Sequence, residues 1–133
     1  YIMTAYRSYS TQEYILNGRA SQIAWPEYPT AEDYAEAEQY VAPPGESDHQ
    51  TGLGLDITDR YYSTMDASQM DQNFLTWLRE NCADYGFILR YPSDKSAITE
   101  RDEPWHFRYV GVEAARYIMD NNLCLEQFIA LYE

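Results

Sequence analysis

The segment SDHQTGLGLD, residues 47–56, contains His49, one of only two histidines in the 133-residue chain, and it ends on a carboxylate, Asp56. The pattern from Gly52 to Thr58 predicts a strand, and the two glycines, Gly52 and Gly54, give the chain the freedom to turn as it enters that strand. A straight strand would place His49 and Asp56 about 23 Å apart. The two side chains can therefore meet only if the chain turns between them, which glycine allows.

The second histidine, His106, lies three residues after a carboxylate in the segment EPWH, residues 103–106. Two imidazoles and a carboxylate, with a fourth position open to water, are a common ligand set for catalytic zinc. We therefore expect His49, Asp56 and His106 to be able to bind Zn²⁺. Glu103 would then be available as a general base for a water activated by the metal.

The spacing from Glu103 to His106 would place both on one face of a helix. Pro104 and the β-rich residues that follow it argue against a helix, so the HExxH arrangement of other zinc peptidases does not apply. A strand entry kinked at Pro104 must bring the two side chains together. In the alternative interpretation there is no metal: His49 caps a turn and His106 packs against Trp105.

Metal-assisted hydrolysis also needs a positive group near the developing oxyanion. Arg7 is a candidate because it stands at the end of a predicted strand. Arg90 and Arg108 are rivals, and a surface salt bridge is the alternative role for Arg7. The sequence pattern does not separate these three arginines.

Composition excludes several classes of protein. The net charge of −13 argues against binding nucleic acid or anionic membranes, and no apolar run approaches the roughly 20 residues of a membrane span.

Two cysteines, Cys82 and Cys124, are too few for a disulfide framework; they form one bridge or are two buried thiols, and we favour thiols. The chain begins at Tyr1 inside an apparent strand, so we expect further sequence to precede it.

Periodicity and turn residues predict an α+β domain with a central antiparallel sheet flanked by helices. Predicted strands cover residues 1–6, 52–58, 86–91 and 105–110. Predicted helices cover residues 11–17, 31–40, 65–84, 111–121 and 125–132. Ser10 is the predicted N-cap of the first helix and Gly18 its end, Thr30 caps the second, and Asp66 or Ser68 caps the third. Residues 19–45, apart from the second helix, and residues 93–102 are predicted connections.

Five motifs in this order resemble the LAS metallopeptidases, the group that includes lysostaphin, D-alanyl-D-alanine carboxypeptidases and the sonic hedgehog domain. The match is to the branch of VanY-type D,D-carboxypeptidases and their L,D-carboxypeptidase relatives. It extends from about residue 3 to the C-terminus. The matching segments are YRSYxxQ (6–12), APPG (42–45), SxHxxGxxxD (47–56), EPWH (103–106) and FRYVG (107–111).

The resemblance implies a role for each matched residue and a small hedgehog-like or D,D-peptidase-like fold in one catalytic domain over residues 1–133. Zinc ligands would be His49, Asp56 and His106, with Glu103 as base and Arg7 as the residue that polarises the scissile carbonyl. Substrate contacts would come from Gln12, Ser47 and Trp105. Two positions depart from the usual family pattern: Gly54 replaces alanine, and Thr4-Ala5 replaces Ser-Gly, which leaves the fine substrate preference open.

The implied activity is removal of the terminal D-Ala from peptidoglycan stem peptides by a monomeric enzyme. An L,D-carboxypeptidase and a D-Ala-D-Ala dipeptidase share the same chemistry, and the connection 19–45 is expected to decide between them. A metal-binding recognition module without catalysis is the alternative of another class, and the presence of Glu103 argues against it. The substrate implies a cell-envelope or extracellular location, with a cytoplasmic enzyme acting on precursors as the alternative.

Overall fold

The antiparallel sheet predicted from the sequence is present in the computed structural model, which describes all residues 1–133. Its strands are β1 (Ile2–Thr4), β2 (Gly54–Ile57), β3 (Phe87–Tyr91) and β4 (Glu103–Tyr109). They are ordered β1-β2-β4-β3, and every neighbouring pair is antiparallel. The α+β class is therefore confirmed.

Six α-helices accompany the sheet, with five short 3₁₀ helices between or after them. The α-helices are α1 (Tyr9–Ala24), α2 (Ala31–Ala37), α3 (Gln72–Asn81), α4 (Ser96–Thr99), α5 (Val112–Asp120) and α6 (Leu125–Ile129). The 3₁₀ helices are Asp48–Thr51, Ala67–Gln69, Cys82–Tyr85, Ser93–Lys95 and Ala130–Tyr132. None of the helices is long and apolar enough to cross a bilayer.

By their internal contacts the residues form two units, 6–52 and 1–5 together with 53–133. In the first unit, α1 packs on α2 through the buried residues Leu16, Ala20 and Ala37. In the second unit, apolar clusters cover both faces of the sheet, because successive strand residues such as Ile88 and Leu89 point to opposite sides. The assignment of one catalytic domain to residues 1–133 stays a prediction.

The first helix differs most from the prediction. Helix α1 passes through Gly18 and continues to Ala24, so the predicted end at Asn17 is wrong. Its N-cap is Ser8 rather than Ser10, since the Ser8 hydroxyl accepts a hydrogen bond from the Thr11 backbone N–H at 3.1 Å. The apolar contacts of the second half of α1 outweigh the helix cost of one glycine, which is about 1 kcal/mol.

The predicted helix over residues 65–84 is broken into three pieces. Asp66 caps only the 3₁₀ turn that follows it, and α3 begins later, with Asp71 accepting bonds from the backbone N–H groups of Asn73 and Phe74. The helix predicted at 31–40 ends at Ala37, while its predicted N-cap, Thr30, is confirmed and forms a capping box with Asp33. The predicted polar loop at 93–102 contains α4 and a 3₁₀ turn.

Both cysteines are free and buried, as the thiol interpretation predicted. Burial raises the pKa of the Cys82 thiol to about 11. A thiol with so high a pKa is a weak nucleophile at neutral pH. Cys82 therefore acts as an apolar core residue, packed with Leu89 and Phe107.

Candidate metal centre

The sheet brings two of the predicted ligands face to face. Asp56 on β2 is the direct partner of His106 on β4 in the antiparallel ladder, so their side chains leave the same face of the sheet. His106 Nδ1 lies 2.9 Å from Asp56 Oδ1, and both side chains are buried. A buried carboxylate is costly unless a positive partner or a metal compensates it. This pair is therefore suited to take up a cation.

Glu103 reaches His106 through an irregularity in β4. Leu89 pairs with Phe107 and Tyr91 pairs with Glu103, so β4 uses two more residues than β3 over this interval. In a regular strand, residues three apart would point to opposite faces and lie about 10 Å apart. The bulge instead leaves Glu103 Oε2 at 3.8 Å from His106 Nδ1. Bulges commonly re-aim side chains next to active sites.

Pro104 lies within this irregular interval, as the predicted kink required. Proline cannot donate to a ladder, so inside a sheet it is confined to edges, strand starts and bulges. The prediction that a strand, rather than a helix, brings Glu103 and His106 together is confirmed.

His49 lies in the 3₁₀ turn Asp48–Thr51, where its side chain is buried. Gly52 ends the turn in the left-handed conformation, with φ 73° and ψ 9°, as the turn hypothesis expected. The Thr51 hydroxyl donates to the Asp48 carbonyl at 2.6 Å and braces the turn. Gly54 does not take part in the turn. It lies in β2 and pairs with Arg108, as the predicted strand over residues 52–58 required.

One ligand atom from each of His49, Asp56 and His106 lies within 4.8 Å of the other two, and all three residues are buried. Donor atoms around one zinc ion at bonds of about 2.0–2.2 Å are about 3.4 Å apart in a tetrahedral site, so these side chains need to close by no more than about 1.4 Å to bind the ion. Two nitrogens and one carboxylate oxygen also match the chemistry of a catalytic zinc site. The residues present therefore fit the predicted metal.

Arg7, Gln12 and Ser47 belong to residues 6–52, together with His49. Arg7 Nη1 donates to Gln12 Oε1 at 3.1 Å, and the Arg7 backbone N–H donates to the His49 carbonyl at 3.1 Å. Gln12 is fully buried, and its amide nitrogen donates to the Ala42 carbonyl at 2.7 Å. Ser47 is the N-cap residue of the turn that carries His49. The substrate contacts predicted for Gln12 and Ser47 stay predictions.

Trp105 packs, partly buried, against the cluster of Tyr62, Met70 and Leu75. Its predicted role as a wall beside the metal stays a prediction. Among the rivals of Arg7, Arg90 binds both carboxylate oxygens of Glu126, at 3.1 and 2.7 Å. That double contact gives Arg90 a structural role.

The sequence did not point to two further residues of this region. The Tyr91 ring lies over His106 with 5.0 Å between ring centroids. Arg101 Nη1 lies 3.3 Å from Glu103 Oε1. Both contacts depend on the irregular register between β3 and β4, for which the sequence offers only the signal of Pro104.

Comparison with known proteins agrees with this geometry. A family model described as VanY, D-alanyl-D-alanine carboxypeptidase, matches residues 1–112. A D-alanyl-D-alanine carboxypeptidase of Enterococcus faecalis is 42% identical over 130 residues, which cover 96% of this chain and 46% of that protein. The putative carboxypeptidase YodJ of Bacillus subtilis is 39% identical over 136 residues, 95% of this chain and 44% of that protein. This chain thus spans about half the length of these relatives.

Three solved structures are also similar to this chain, and each is 38% identical to it in sequence. VanYB in complex with D-alanine-D-alanine superposes with a TM-score of 0.81 over 100% of this chain and 71% of that chain. A mutant of the vancomycin-resistance D,D-pentapeptidase VanY in complex with Zn(II) superposes with a TM-score of 0.79, over 97% of this chain and 70% of that chain. The LD-carboxypeptidase LdcB superposes with a TM-score of 0.80, over 97% of this chain and 57% of that chain.

Proposed function

Because this chain belongs to the VanY family of D-alanyl-D-alanine carboxypeptidases, we propose that it is a zinc-dependent D,D-carboxypeptidase that removes the terminal D-Ala from peptidoglycan stem peptides. The observation that carries the proposal is the buried group of His49, Asp56 and His106, whose ligand atoms lie within 4.8 Å of one another. The zinc bound by a VanY relative and the D-alanine-D-alanine bound by VanYB support the metal and the substrate class.

Zinc in this group would lower the pKa of a bound water to about 7 and polarise the scissile carbonyl. Glu103 takes the proton of the attacking water and returns it to the leaving amine. Its position supports this role, because one carboxylate oxygen lies 3.8 Å from His106 Nδ1. General acid–base catalysis of this kind contributes about 10²–10⁴ in rate.

Arg7 supplies the positive charge that stabilises the developing oxyanion. Its hydrogen bond to the buried Gln12 supports a fixed position for the guanidinium group. Gln12 and Ser47 contact the C-terminal residue of the substrate, and Trp105 forms a wall of the pocket. The enzyme acts as a monomer on stem peptides in the cell envelope, where mature peptidoglycan lies.

An L,D-carboxypeptidase that trims tetrapeptide stems is the second candidate. The observation that favours it is the similarity to LdcB, at the same 38% identity as VanYB. A D-Ala-D-Ala dipeptidase would use the same ligands and base. The three activities differ in how much substrate is admitted on the N-terminal side of the cut bond.

The test is to incubate zinc-loaded protein separately with a pentapeptide stem, a tetrapeptide stem and the D-Ala-D-Ala dipeptide, and to measure released D-Ala by mass spectrometry. We expect the pentapeptide to be cut fastest. Preference for the tetrapeptide or the dipeptide would select one of the alternatives. If no substrate is cut, the proposal of an enzyme fails.

Glu103→Gln tests the base. We expect a rate loss of about 10²–10⁴ with one zinc still bound per chain. Glu80→Gln is a matched control, because it makes the same chemical change at an exposed residue of α3 and should cut at the wild-type rate. A Glu103→Gln enzyme as fast as wild type would refute the assignment of Glu103.

A further inference from the structure

The carboxylate of Glu103 has two different neighbours. Its Oε1 lies 3.3 Å from Arg101 Nη1, and its Oε2 lies 3.8 Å from His106 Nδ1. We infer that Arg101 is a positioning residue for the reaction, which holds one oxygen of Glu103 so that the other stays directed at the metal ligand His106. The inference rests on the proposed function of Glu103 as the base.

The environment of this pair makes it more than a surface contact. Exposed ion pairs contribute little, because water screens them and both side chains remain mobile. Here the side chains of Arg101 and Glu103 are only 18% and 21% exposed. A charged hydrogen bond in such a partly buried place restricts the carboxylate to one orientation more effectively. A glutamate without this contact has three rotatable bonds with which to turn away.

Arg101 is itself fixed from two sides. The buried Thr99 hydroxyl lies 3.0 Å from the Arg101 carbonyl and can donate to it. Glu100, between them, ends α4 in the left-handed conformation with φ 59° and turns the chain towards β4. The start of β4 is thereby held where the Arg101 side chain can reach Glu103.

The guanidinium group also lies over an aromatic ring. Arg101 Cζ is 6.0 Å from the centroid of the Tyr91 ring, at the outer limit of a cation–π contact. The same ring lies 5.0 Å from the imidazole of His106, and Tyr91 is the strand partner of Glu103. These contacts join four side chains into one contiguous group, Arg101, Tyr91, His106 and Glu103. Within it, Arg101 contacts the base directly.

The alternative is a salt bridge that only attaches residues 93–102 to β4. That role predicts lower stability of Arg101 variants but normal turnover by the molecules that remain folded. A positioning role predicts a loss in kcat at nearly constant KM, because substrate binding does not depend on the direction of the Glu103 carboxylate. The two roles are therefore separable by experiment.

The variants are Arg101→Met, which removes the positive charge, and Arg101→Lys, which keeps the charge but lacks the planar guanidinium group. Arg116→Met is the matched control, since Arg116 forms a comparable ion pair with Asp84 at 2.9 Å, on the exposed surface. We expect Arg101→Met to lower kcat by about 10-fold to 100-fold, with KM and zinc affinity within about threefold of wild type. Arg101→Lys should recover part of the loss, and Arg116→Met should show none.

A double variant shows whether the effect passes through Glu103. In a Glu103→Asp background the carboxylate is one methylene shorter, so the further change Arg101→Met should cost less than about threefold in kcat. An undiminished loss in that background would overturn the inference. So would an unchanged kcat in Arg101→Met, or a fall in zinc affinity that accounts for the lost activity.

Carboxyl ¹³C NMR tests the same contact without turnover. The Glu103 resonance, identified by its absence in Glu103→Gln, should move in Arg101→Met and stay in place in Arg116→Met. An unmoved resonance overturns the inference whether or not the wild-type protein cuts a stem peptide. Absence of cleavage by the wild type, in contrast, overturns the proposed function alone.

Discussion

At the scale of single residues, Gly86 and Gly52 have nearly the same backbone conformation in very different surroundings. Gly86 has φ 83° and ψ 15°, and Gly52 has φ 73° and ψ 9°. A Cβ on Gly86 would lie 2.7 Å from Cε2 of Tyr109 and 3.2 Å from the backbone carbonyl carbon of Gly111, whereas one on Gly52 would meet nothing within 4 Å. The pair therefore separates backbone strain from crowding.

We predict that Gly52→Ala lowers the free energy of unfolding by about 1–2 kcal/mol, the cost of a left-handed conformation for an L-residue. Gly86→Ala should cost about 1–3 kcal/mol more, because the Tyr109 ring and nearby backbone must also move. The Tyr109 ring packs edge-on against Phe87 at 5.3 Å between centroids, which limits its freedom to turn away. Urea unfolding of both variants measures the difference, and equal losses would contradict the role of crowding.

Residue identity was sufficient to bring His49, Asp56, His106 and Glu103 together as candidates, because few other residue types can bind zinc or accept a proton near neutral pH; their roles stay predictions. It was also sufficient for Gly52, whose left-handed conformation follows from the turn that the two predicted ligands, His49 and Asp56, require. It could not predict Arg101, since a residue two positions from Glu103 in a regular strand shares its face without necessarily contacting its carboxylate. The contact depends on the left-handed Glu100 and on the bulge in β4.

At the scale of secondary structure, sequence patterns predicted which elements exist better than where they end. The four strands and the helices α2 and α5 were predicted within a few residues. The end of α1 was misplaced because Gly18 is a common helix terminator, and only tertiary contacts show that Leu16 and Ala20 belong to one buried face. The start of α3 was misplaced because Asp66, one of the two predicted caps, caps only a 3₁₀ turn, whereas Asp71, an equally good cap residue, caps the long helix.

Helix α6 is attached to the sheet by the ion pair of Arg90 and Glu126. The Arg90 side chain is 12% exposed and that of Glu126 is 37% exposed. Burial raises the pKa of Glu126, but the hydrogen bonds and charge of Arg90 outweigh this effect and leave the pKa below its usual value. A carboxylate whose pKa is lower in the folded than in the unfolded state stabilises the fold above the unfolded pKa, here about 4.5.

We therefore predict that Glu126→Gln lowers the free energy of unfolding by about 1–2 kcal/mol at pH 7. The difference from wild type should stay constant from pH 7 to pH 5. It should shrink as the pH falls below about 4.5, through the lowered pKa of the folded state, because Glu126 then becomes protonated in the wild type as well. Denaturant unfolding at several pH values measures it.

Asp84→Asn provides the control for this pair. Asp84 also binds an arginine with two hydrogen bonds, to Arg116, but both side chains are more than half exposed. Its loss should cost less than about 0.5 kcal/mol at pH 7. If Glu126→Gln is no less stable than Asp84→Asn, partial burial of the Arg90–Glu126 ion pair does not add to the free energy of unfolding.

At the scale of the whole molecule, the predicted metal ligands come from three separate places in the sequence, residues 49, 56 and 106, and the chain has no other histidine. The unfolded chain cannot hold these three donors together, so we expect zinc to bind mainly to the folded state. Binding to the folded state alone stabilises by about 2.7 kcal/mol when free zinc is 100 times its dissociation constant. The thiols of Cys82 and Cys124 become exposed on unfolding and can bind some zinc, which makes this value an upper limit.

We predict that zinc raises the urea midpoint of the wild type and that a chelator reverses the shift. Asp56→Asn should remove most of the zinc-dependent increment, because it replaces a charged ligand by a poor one, while Asp120→Asn makes the same change at an exposed residue and should keep the full increment. His106→Ala should behave like Asp56→Asn. A full increment in either ligand variant would mean that zinc stabilises the protein from another site. The group formed by His49, Asp56 and His106 would then not be the zinc site, although the fold and the family would be unaffected.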